Sequence, residues 1–320
     1  MADQQGALIM LGYGLSLLGK LLGRGKLSIL IYHQVLAEFD PMRPYEPTAQ
    51  TFDWQMALLA RYFTPISLDQ ALQGLKNNNL PANAVCVTFD DGYLNNLTVA
   101  QPILEKYAIP ATVYVATAFS EGVNMWNDRV IYLFADKTRT ALQLDGEQVT
   151  LGDWEQRREL AGQWLKKLKY LPVKQRLEKV IALYQENSLS EQSPLMMTPQ
   201  QVRELSDKGV TIGAHTVNHP ILKVLSAEEQ QQEITTSKAQ LQDWTAKPVE
   251  HFAYPNGVVG TDLDEHTVEY VKRAGFQSAV VTNWGTSDNA TSPWMLQRFT
   301  PWDRTPARFH LRLARNQAGI

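Results

Sequence analysis

The sequence contains a single cysteine among 320 residues, so no disulfide bond can form within the chain. Cysteine this scarce fits a reducing compartment, and we expect a cytoplasmic protein. An excess of charge of one sign is also missing, because 30 Lys and Arg face 33 Asp and Glu, for a net charge of −3. A chain without a broad positive field is a poor partner for phosphates, and we therefore expect no nucleic-acid partner.

The sequence also lacks an unbroken apolar run that could form a transmembrane helix, which needs about 20 apolar residues. Three glycines interrupt the apolar stretch 7–22. Asp3 precedes this stretch and basic residues between positions 20 and 26 end it, the reverse of the charge order of a secretory signal. We expect no cleaved signal in residues 1–26. Two interpretations of this segment stay open: peripheral contact with the anionic inner face of a membrane, or a helix packed on the domain.

Short apolar runs rich in β-branched residues are abundant, and each is followed by a polar or glycine-containing turn. Such runs predict strands. The seven runs are Leu27–Tyr32, Ala84–Phe89, Ala111–Ala116, Gly209–Ala214, Glu250–Tyr254, Gln277–Val281 and Met295–Phe299. Helical patterns separate most of them, as at 93–107, 227–243 and 262–274. Apolar strands alternating with helices indicate a parallel sheet covered on both faces, and seven strands favour a barrel.

The region from about 126 to 195 breaks this alternation. It contains charged helical stretches at 154–170 and 173–184 without a clear buried strand. An Asp-Gly pair within 141–150 is typical of a tight hairpin turn. We therefore predict an α/β fold in which residues 27–320 form one barrel that carries a helical insertion.

Polar residues follow the carboxyl ends of several predicted strands, where parallel barrels place their ligand sites. They are His33 after the first run, Asp90 and Asp91 after the second, His215 and His219 after the fourth, and Asn256 and Gly257 after the fifth. Histidines four residues apart can reach one metal ion, although many such pairs are only surface neighbours. Carboxylates at the end of an apolar strand need a cation or hydrogen bonds, although an Asp-Asp-Gly string also forms turns.

Two histidines and one carboxylate leave open positions on a divalent ion, and a spare carboxylate can take a proton from water. This combination indicates metal-assisted hydrolysis. The same ligands also suit a non-haem iron oxygenase, an alternative that the spare aspartate disfavours. The pattern alone does not rank Asp90 and Asp91 as base and ligand.

Three segments resemble motifs of the polysaccharide deacetylases, carbohydrate esterase family 4. Thr88–Gly92 (TFDDG) and His215–His219 (HTVNH) resemble the first two motifs, and Phe252–Gly257 (FAYPNG) is similar to the third motif of one branch. The resemblance implies a distorted seven-stranded (β/α) barrel and hydrolysis of the N-acetyl group of an amino sugar. It also implies a divalent metal, zinc first, with nickel, cobalt and iron as alternatives.

The resemblance also implies roles for individual residues. It makes Asp90 the general base, Asp91, His215 and His219 the metal ligands, and the backbone at Asn256 and Gly257 the oxyanion site, with Tyr254 shaping the pocket. Such a main-chain donor makes sense where charge develops on the acyl oxygen.

The sequence departs from the family pattern at two positions. Many relatives have an arginine where Ala253 stands, and Arg298 is our substitute partner for the catalytic aspartate, with a surface salt bridge as the alternative. The histidine of the last motif is missing near the seventh run, and His33 is our alternative general acid. The other interpretation of His33 is a support hydrogen-bonded to the aspartates.

Aromatic side chains stack on pyranose rings, and we expect Trp126 and Trp284 to line a sugar cleft, with a core position as the alternative for each. The predicted function is metal-dependent removal of the N-acetyl group of an amino sugar in a polysaccharide, exopolysaccharide or lipid-linked glycan of the cell envelope. Deformylation of a lipid-linked sugar and binding of a carbohydrate without catalysis are the alternatives.

Overall fold

The computed structural model of the chain describes residues 23–319. Most of the predicted apolar and basic segment, residues 1–22, lies outside the described residues. Within residues 23–319, no helix is both long enough and apolar enough to cross a membrane.

Residues 23–319 contain ten strands, and all seven predicted runs are among them. They are β1 Ser28–Tyr32, β2 Thr64–Pro65, β3 Ala84–Phe89, β4 Ala111–Val115, β5 Ala141–Leu144, β6 Glu147–Thr150, β7 Thr211–Ala214, β8 His251–Ala253, β9 Ser278–Trp284 and β10 Leu296–Arg298. The main sheet has the order β1-β3-β4-β7-β8-β9-β10, and the short β2 pairs with β3. Every pair in this sheet is parallel, as the alternation of strands and helices predicts.

The sheet closes into a barrel between its first and last strands. The Phe299 amide, just past β10, donates to the Ile29 carbonyl at 2.7 Å, and the Ile31 amide donates to the Phe299 carbonyl at 3.0 Å. The pairing of β9 with β10 shifts register between Leu296 and Arg298, which distorts the barrel. The predicted α/β class and the seven-stranded barrel are therefore confirmed.

In the described part of the chain, ten α-helices cover the barrel and build the insertion. They are α1 Ala49–Tyr62, α2 Leu68–Lys76, α3 Gln101–Lys106, α4 Trp126–Leu133, α5 Trp154–Lys169, α6 Val173–Glu186, α7 Pro199–Asp207, α8 Ala227–Thr245, α9 Glu265–Arg273 and α10 Pro306–Ala318. The predicted helix 93–107 occurs as a π-helical turn, Asn96–Ala100, that continues into α3. The start of α9 is set by Asp264, whose side chain accepts from the Thr267 amide at 3.0 Å, a typical N-cap.

The barrel strands are buried on both faces, and successive side chains alternate between two apolar clusters. One cluster lies between strands and helices and includes Val87, Phe252 and Tyr254. A second, smaller cluster contains the alternate positions, such as Cys86 and Ala253. This alternation decides which strand-end side chains face the site.

The insertion has an apolar cluster of its own. Its buried residues include Val130, Leu142, Trp164 and Leu183 from four different elements. The β5–β6 pair is antiparallel, and both residues of its Asp145-Gly146 turn have positive φ, +57° and +80°, as a type I′ hairpin turn requires.

Candidate active site

A cavity of about 620 Å³ opens at the carboxyl ends of the barrel strands. Most of the polar residues that the sequence places after strands line it: His33, Asp90, Asp91, His215, His219 and Asn256. Asn127, from the first helix of the insertion, contributes to the same wall. The fold therefore brings together groups from four separate strand ends.

Asp91, His215 and His219 form a group whose ligand atoms all lie within 4.8 Å of one another. The Asp91 Oδ1 atom lies 3.6 Å from His215 Nε2 and 3.5 Å from His219 Nε2. This oxygen is buried and has no hydrogen-bond partner among the described residues. A buried carboxylate oxygen without a partner is costly, so this donor set fits a divalent cation.

The protonation states of the two histidines also suit a cation. Burial lowers the pKa of His215 to about 4, and burial, followed by repulsion from His215, lowers the pKa of His219 well below its usual value. Both rings are therefore neutral near pH 7, the form that binds metals. The His215 Nδ1 atom lies 2.7 Å from the Ala253 carbonyl, which fixes the proton on Nδ1 and leaves the Nε2 lone pair free.

The loops of the site adopt strained backbone conformations. Asp91, Thr216, His219 and Asn256 have φ values of +75°, +65°, +51° and +60°, in the left-handed region that residues other than glycine rarely occupy. Such strain is costly unless the surrounding structure enforces it, and it concentrates at functional sites.

Glu233 of α8 holds the loop that carries the two histidines. Its Oε2 atom accepts from the amides of Val217 at 2.8 Å and Asn218 at 2.9 Å, and its Oε1 atom accepts from Asn218 Nδ2 at 2.7 Å. Glu233 is therefore a positioning residue for His215 and His219. Because it lies far from both histidines along the chain, the sequence gives no signal of this role.

We expect Glu233→Gln to lower zinc affinity about tenfold or more, the usual size of an outer-shell effect. The side-chain NH₂ group of the glutamine would face the side-chain NH₂ group of Asn218, and two donors cannot form a hydrogen bond with each other. Zinc titration against a competing chelator measures the effect. Glu228→Gln, the same change at an exposed position of α8, is the matched control. Equal affinities of the two variants would contradict the positioning role.

Asp90 is paired with Arg298 rather than with the histidines. The Arg298 Nη1 and Nη2 atoms donate to the two Asp90 oxygens, each at 2.7 Å, and Nε donates to the Val281 carbonyl at 3.0 Å. Arg298 is 1% exposed, so the alternative of a surface salt bridge does not apply. Burial acts to raise the pKa of Asp90, but the Arg298 charge outweighs burial and holds this pKa well below its usual range.

His33 lines the cavity at the end of β1. The Asn96 side chain donates to the His33 carbonyl at 2.9 Å, which anchors the π-helical turn beside the site. Burial acts to lower the pKa of His33, but the nearby carboxylates, Asp91 first and Glu46 second, raise it overall. Within residues 23–319 its ring forms no ion pair with either aspartate, so the structure lends no support to the hydrogen-bonded alternative.

Asn256 lines the cavity, whereas Gly257, the next residue, is not among the lining residues. A Cβ atom at Gly257 would lie 2.9 Å from the Tyr254 carbonyl and 3.1 Å from the Thr282 amide, and the residue has a φ of +71°. Only glycine fits such a position. The Thr282 amide donates to the Gly257 carbonyl at 2.9 Å, which fixes the turn that presents Asn256.

Three predicted pocket residues lie elsewhere. Tyr254 shares the outward strand face with Phe252, is 1% exposed and donates its hydroxyl to the Trp294 carbonyl at 3.0 Å. Trp126 packs against the insertion cluster, with the Arg176 guanidinium 4.7 Å from its ring. Trp284 is 54% exposed and lies outside the residues that line the cavity. Strand alternation explains the first correction, and packing of α4 on its own cluster explains the second.

Sequence reasoning missed several residues that line the cavity, among them Tyr45, Glu46 and Trp302. Trp302 lies four residues after β10, and a search that extended past the first residues of each loop would have included it. Tyr45 and Glu46 lie in the long β1–α1 loop, whose conformation has no sequence periodicity. A salt bridge at 2.7 Å between Arg43 of this loop and buried Asp128 of α4 helps to fix it.

Comparison with known proteins relates most of the site to one family. Residues 77–279 match the family model described as polysaccharide deacetylase. The chain is 21% identical over 274 residues to YxkH of Bacillus subtilis (strain 168), which carries a provisional polysaccharide deacetylase name, across 85% of this chain and 70% of that protein. His33 and Arg298 lie outside the family match, so their placement comes from the structure.

Two solved structures are similar to this one. The Streptococcus pyogenes deacetylase PplD, in complex with acetate, has 22% identity and a TM-score of 0.62, over 90% of this chain and 98% of that chain. IcaB from Ammonifex degensii has 19% identity and a TM-score of 0.59, over 92% and 97%. At these identities the likeness establishes the fold.

Proposed function

The chain belongs to the polysaccharide deacetylase family, hydrolases of carbon–nitrogen bonds, and from this premise we propose that it removes the N-acetyl group of an amino sugar in a metal-dependent reaction. The observation that carries the proposal is the buried Asp91 oxygen without a hydrogen-bond partner, within 3.6 Å of two neutral histidines. Asp90, paired with Arg298, stands next to it and remains free of the metal set.

Asp91, His215 and His219 would hold the ion, and an ion bound there lowers the pKa of water and polarises a carbonyl. Three protein ligands of nitrogen and oxygen that leave positions open suit zinc in a catalytic site, and the same set admits iron, cobalt or nickel. The neutral imidazoles offer lone pairs, and the Ala253 carbonyl holds His215 in the required tautomer.

Asp90 is proposed as the general base. Arg298 keeps its carboxylate ionised and fixes its orientation through two hydrogen bonds, so an ionised carboxylate that can accept a proton lines the cavity. It accepts the proton of the attacking water, and the backbone at Asn256 is proposed to stabilise charge on the acyl oxygen.

His33 is proposed as the general acid that protonates the leaving amine. Of the six histidines, only His33, His215 and His219 line the cavity. His310, in α10 near the end of the chain, packs against two aromatic rings instead. The distances between ring centroids are 4.8 Å to Tyr62 and 5.4 Å to Phe63. His33 is therefore the histidine of the cavity that the metal set does not use.

The test is acetate release from an N-acetylglucosamine tetramer by protein loaded with zinc, against the same protein treated with a chelator. We expect turnover that is lost with the metal and restored by adding zinc, cobalt, nickel or iron. An N-formylated glucosamine tested in parallel distinguishes deformylation from deacetylation. Zinc binding without turnover on either class of substrate would favour a carbohydrate-binding protein, and turnover that requires oxygen would favour an oxygenase.

A further inference from the structure

A groove of about 580 Å³ lies at the amino end of the barrel. Gln277, which precedes β9, and Leu296, the first residue of β10, line it. The catalytic cavity, in contrast, lies past the carboxyl ends of the strands. Among residues 23–319 the two openings share no lining residue, so the groove is separate from the site of the proposed reaction.

The floor of the groove is apolar and its rim is polar. Leu75 and Leu296 are buried members of the second, smaller apolar cluster of the barrel, and Leu72 packs against that cluster. The exposed residues around them are polar and include Gln73, Lys76, Asn78 and Asn289. An apolar floor inside a polar rim is typical of a surface that buries the apolar face of another segment.

The described residues begin beside this groove. A smaller groove of about 300 Å³ is lined by Arg24, Gly25 and Lys26, which precede β1. The two grooves form one surface, because they share four lining residues: Leu75, Asn78, Asp288 and Asn289. The Lys26 Nζ atom donates to the Ala318 carbonyl at 3.0 Å. This hydrogen bond fixes the place from which the chain runs back toward residue 22.

The sequence immediately before this place is apolar. Its leucines recur at spacings of three and four residues: Leu8, Leu11, Leu15, Leu18 and Leu22. This spacing is typical of a segment that presents one apolar face to a partner. Because the segment is covalently joined to the chain beside the groove, its effective concentration there is high, and docking costs little translational freedom.

We propose that residues 7–22 dock in this groove and close the amino end of the barrel, so that the segment is part of the domain and not a peripheral membrane contact. Docking covers the apolar floor formed by Leu72, Leu75 and Leu296. A membrane contact would instead use the basic side chains that follow the segment, and the Lys26 ammonium is already hydrogen-bonded to the Ala318 carbonyl. The proposal does not depend on the proposed function.

The experiment measures trypsin cleavage after Lys20 in the full chain by mass spectrometry. We expect Leu72→Asp to accelerate this cleavage about tenfold or more, because a charge on the groove floor opposes the docking of apolar side chains. Leu15→Asp, the same change within the segment, should accelerate it by a similar factor. Leu177→Asp, at an exposed leucine of α6 outside the groove, is the matched control and should leave the rate unchanged.

Equal cleavage rates in the wild type, Leu72→Asp and Leu15→Asp would overturn the docking. Unfolding of Leu72→Asp would be recognised by cleavage within residues 27–320, and Leu15→Asp, which leaves the groove intact, then decides alone. The same assay with phosphatidylglycerol vesicles tests the other occupant. If Lys20 is protected only when vesicles are present, and Leu15→Asp removes this protection while Leu72→Asp does not, the segment is a membrane contact and the proposal is wrong.

Discussion

Asp90→Asn is expected to lower kcat for acetate release by about 10²- to 10⁴-fold, the range that general base catalysis contributes. Asparagine has nearly the same shape and keeps one oxygen acceptor for Arg298, but its amide cannot take a proton from water. Because Asp90 is paired with Arg298 and lies outside the metal set, zinc affinity should stay close to that of the wild type. Single-turnover kinetics and zinc titration on the same preparation measure the two quantities.

The neighbouring variant Asp91→Asn serves as the contrasting control. It removes a proposed metal ligand, so zinc affinity should fall first, and a large excess of zinc should recover part of the activity. Loss of zinc affinity in Asp90→Asn, or a loss of activity below about tenfold, would contradict the assignment of roles. The pair of variants therefore decides between two adjacent aspartates that the sequence pattern alone does not rank.

The barrel could be predicted because the sequences of buried parallel strands are continuous apolar runs. All seven runs became strands, and the main differences are at their ends. The prediction stops β9 at Val281, whereas the strand continues to Trp284. The two-residue β2, Thr64–Pro65, was missed because so short a strand has no periodicity and pairs only through its contact with β3.

The direction of the Tyr254 side chain follows from strand alternation and differs from the expected role in the pocket. Phe252 and Tyr254 are two apart and must share one strand face, while Ala253 takes the other. The face of Phe252 and Tyr254 packs toward the helices, so a strand-end tyrosine beside the motif points away from the cavity. The same alternation places Leu296 with Ala253 in the second apolar cluster and brings Arg298 to Asp90.

The candidate site could be predicted where its residues follow strands directly, as Asp90, Asp91, His215 and His219 do. The cavity wall formed by Tyr45, Glu46 and Trp302 could not be predicted in this way, because it depends on contacts between distant loops. One such contact joins Arg43 to Asp128, which also accepts from the Tyr93 hydroxyl at 2.8 Å. The backbone strain at the site is equally a product of the assembled structure.

Arg298→Met is expected to destabilise the metal-free protein by about 3 to 5 kcal/mol, the cost of leaving one member of a buried ion pair without its partner. Both side chains are buried, with exposures of 1% for Arg298 and 3% for Asp90. Methionine fills much of the volume of the arginine stem but provides neither the charge nor the hydrogen bonds. The free energy of unfolding in urea, followed by circular dichroism, measures the loss.

The double variant Arg298→Met, Asp90→Asn separates charge from packing. If the unpaired carboxylate is the cause, removing its charge should restore more than half of the lost stability, since replacing both members of a buried pair is often nearly neutral. A double variant as unstable as Arg298→Met would instead assign the loss to the hydrogen bond with Val281 and to packing inside the barrel. Arg298 would then be a structural residue, and the ionised state of Asp90 would need another source of stabilisation.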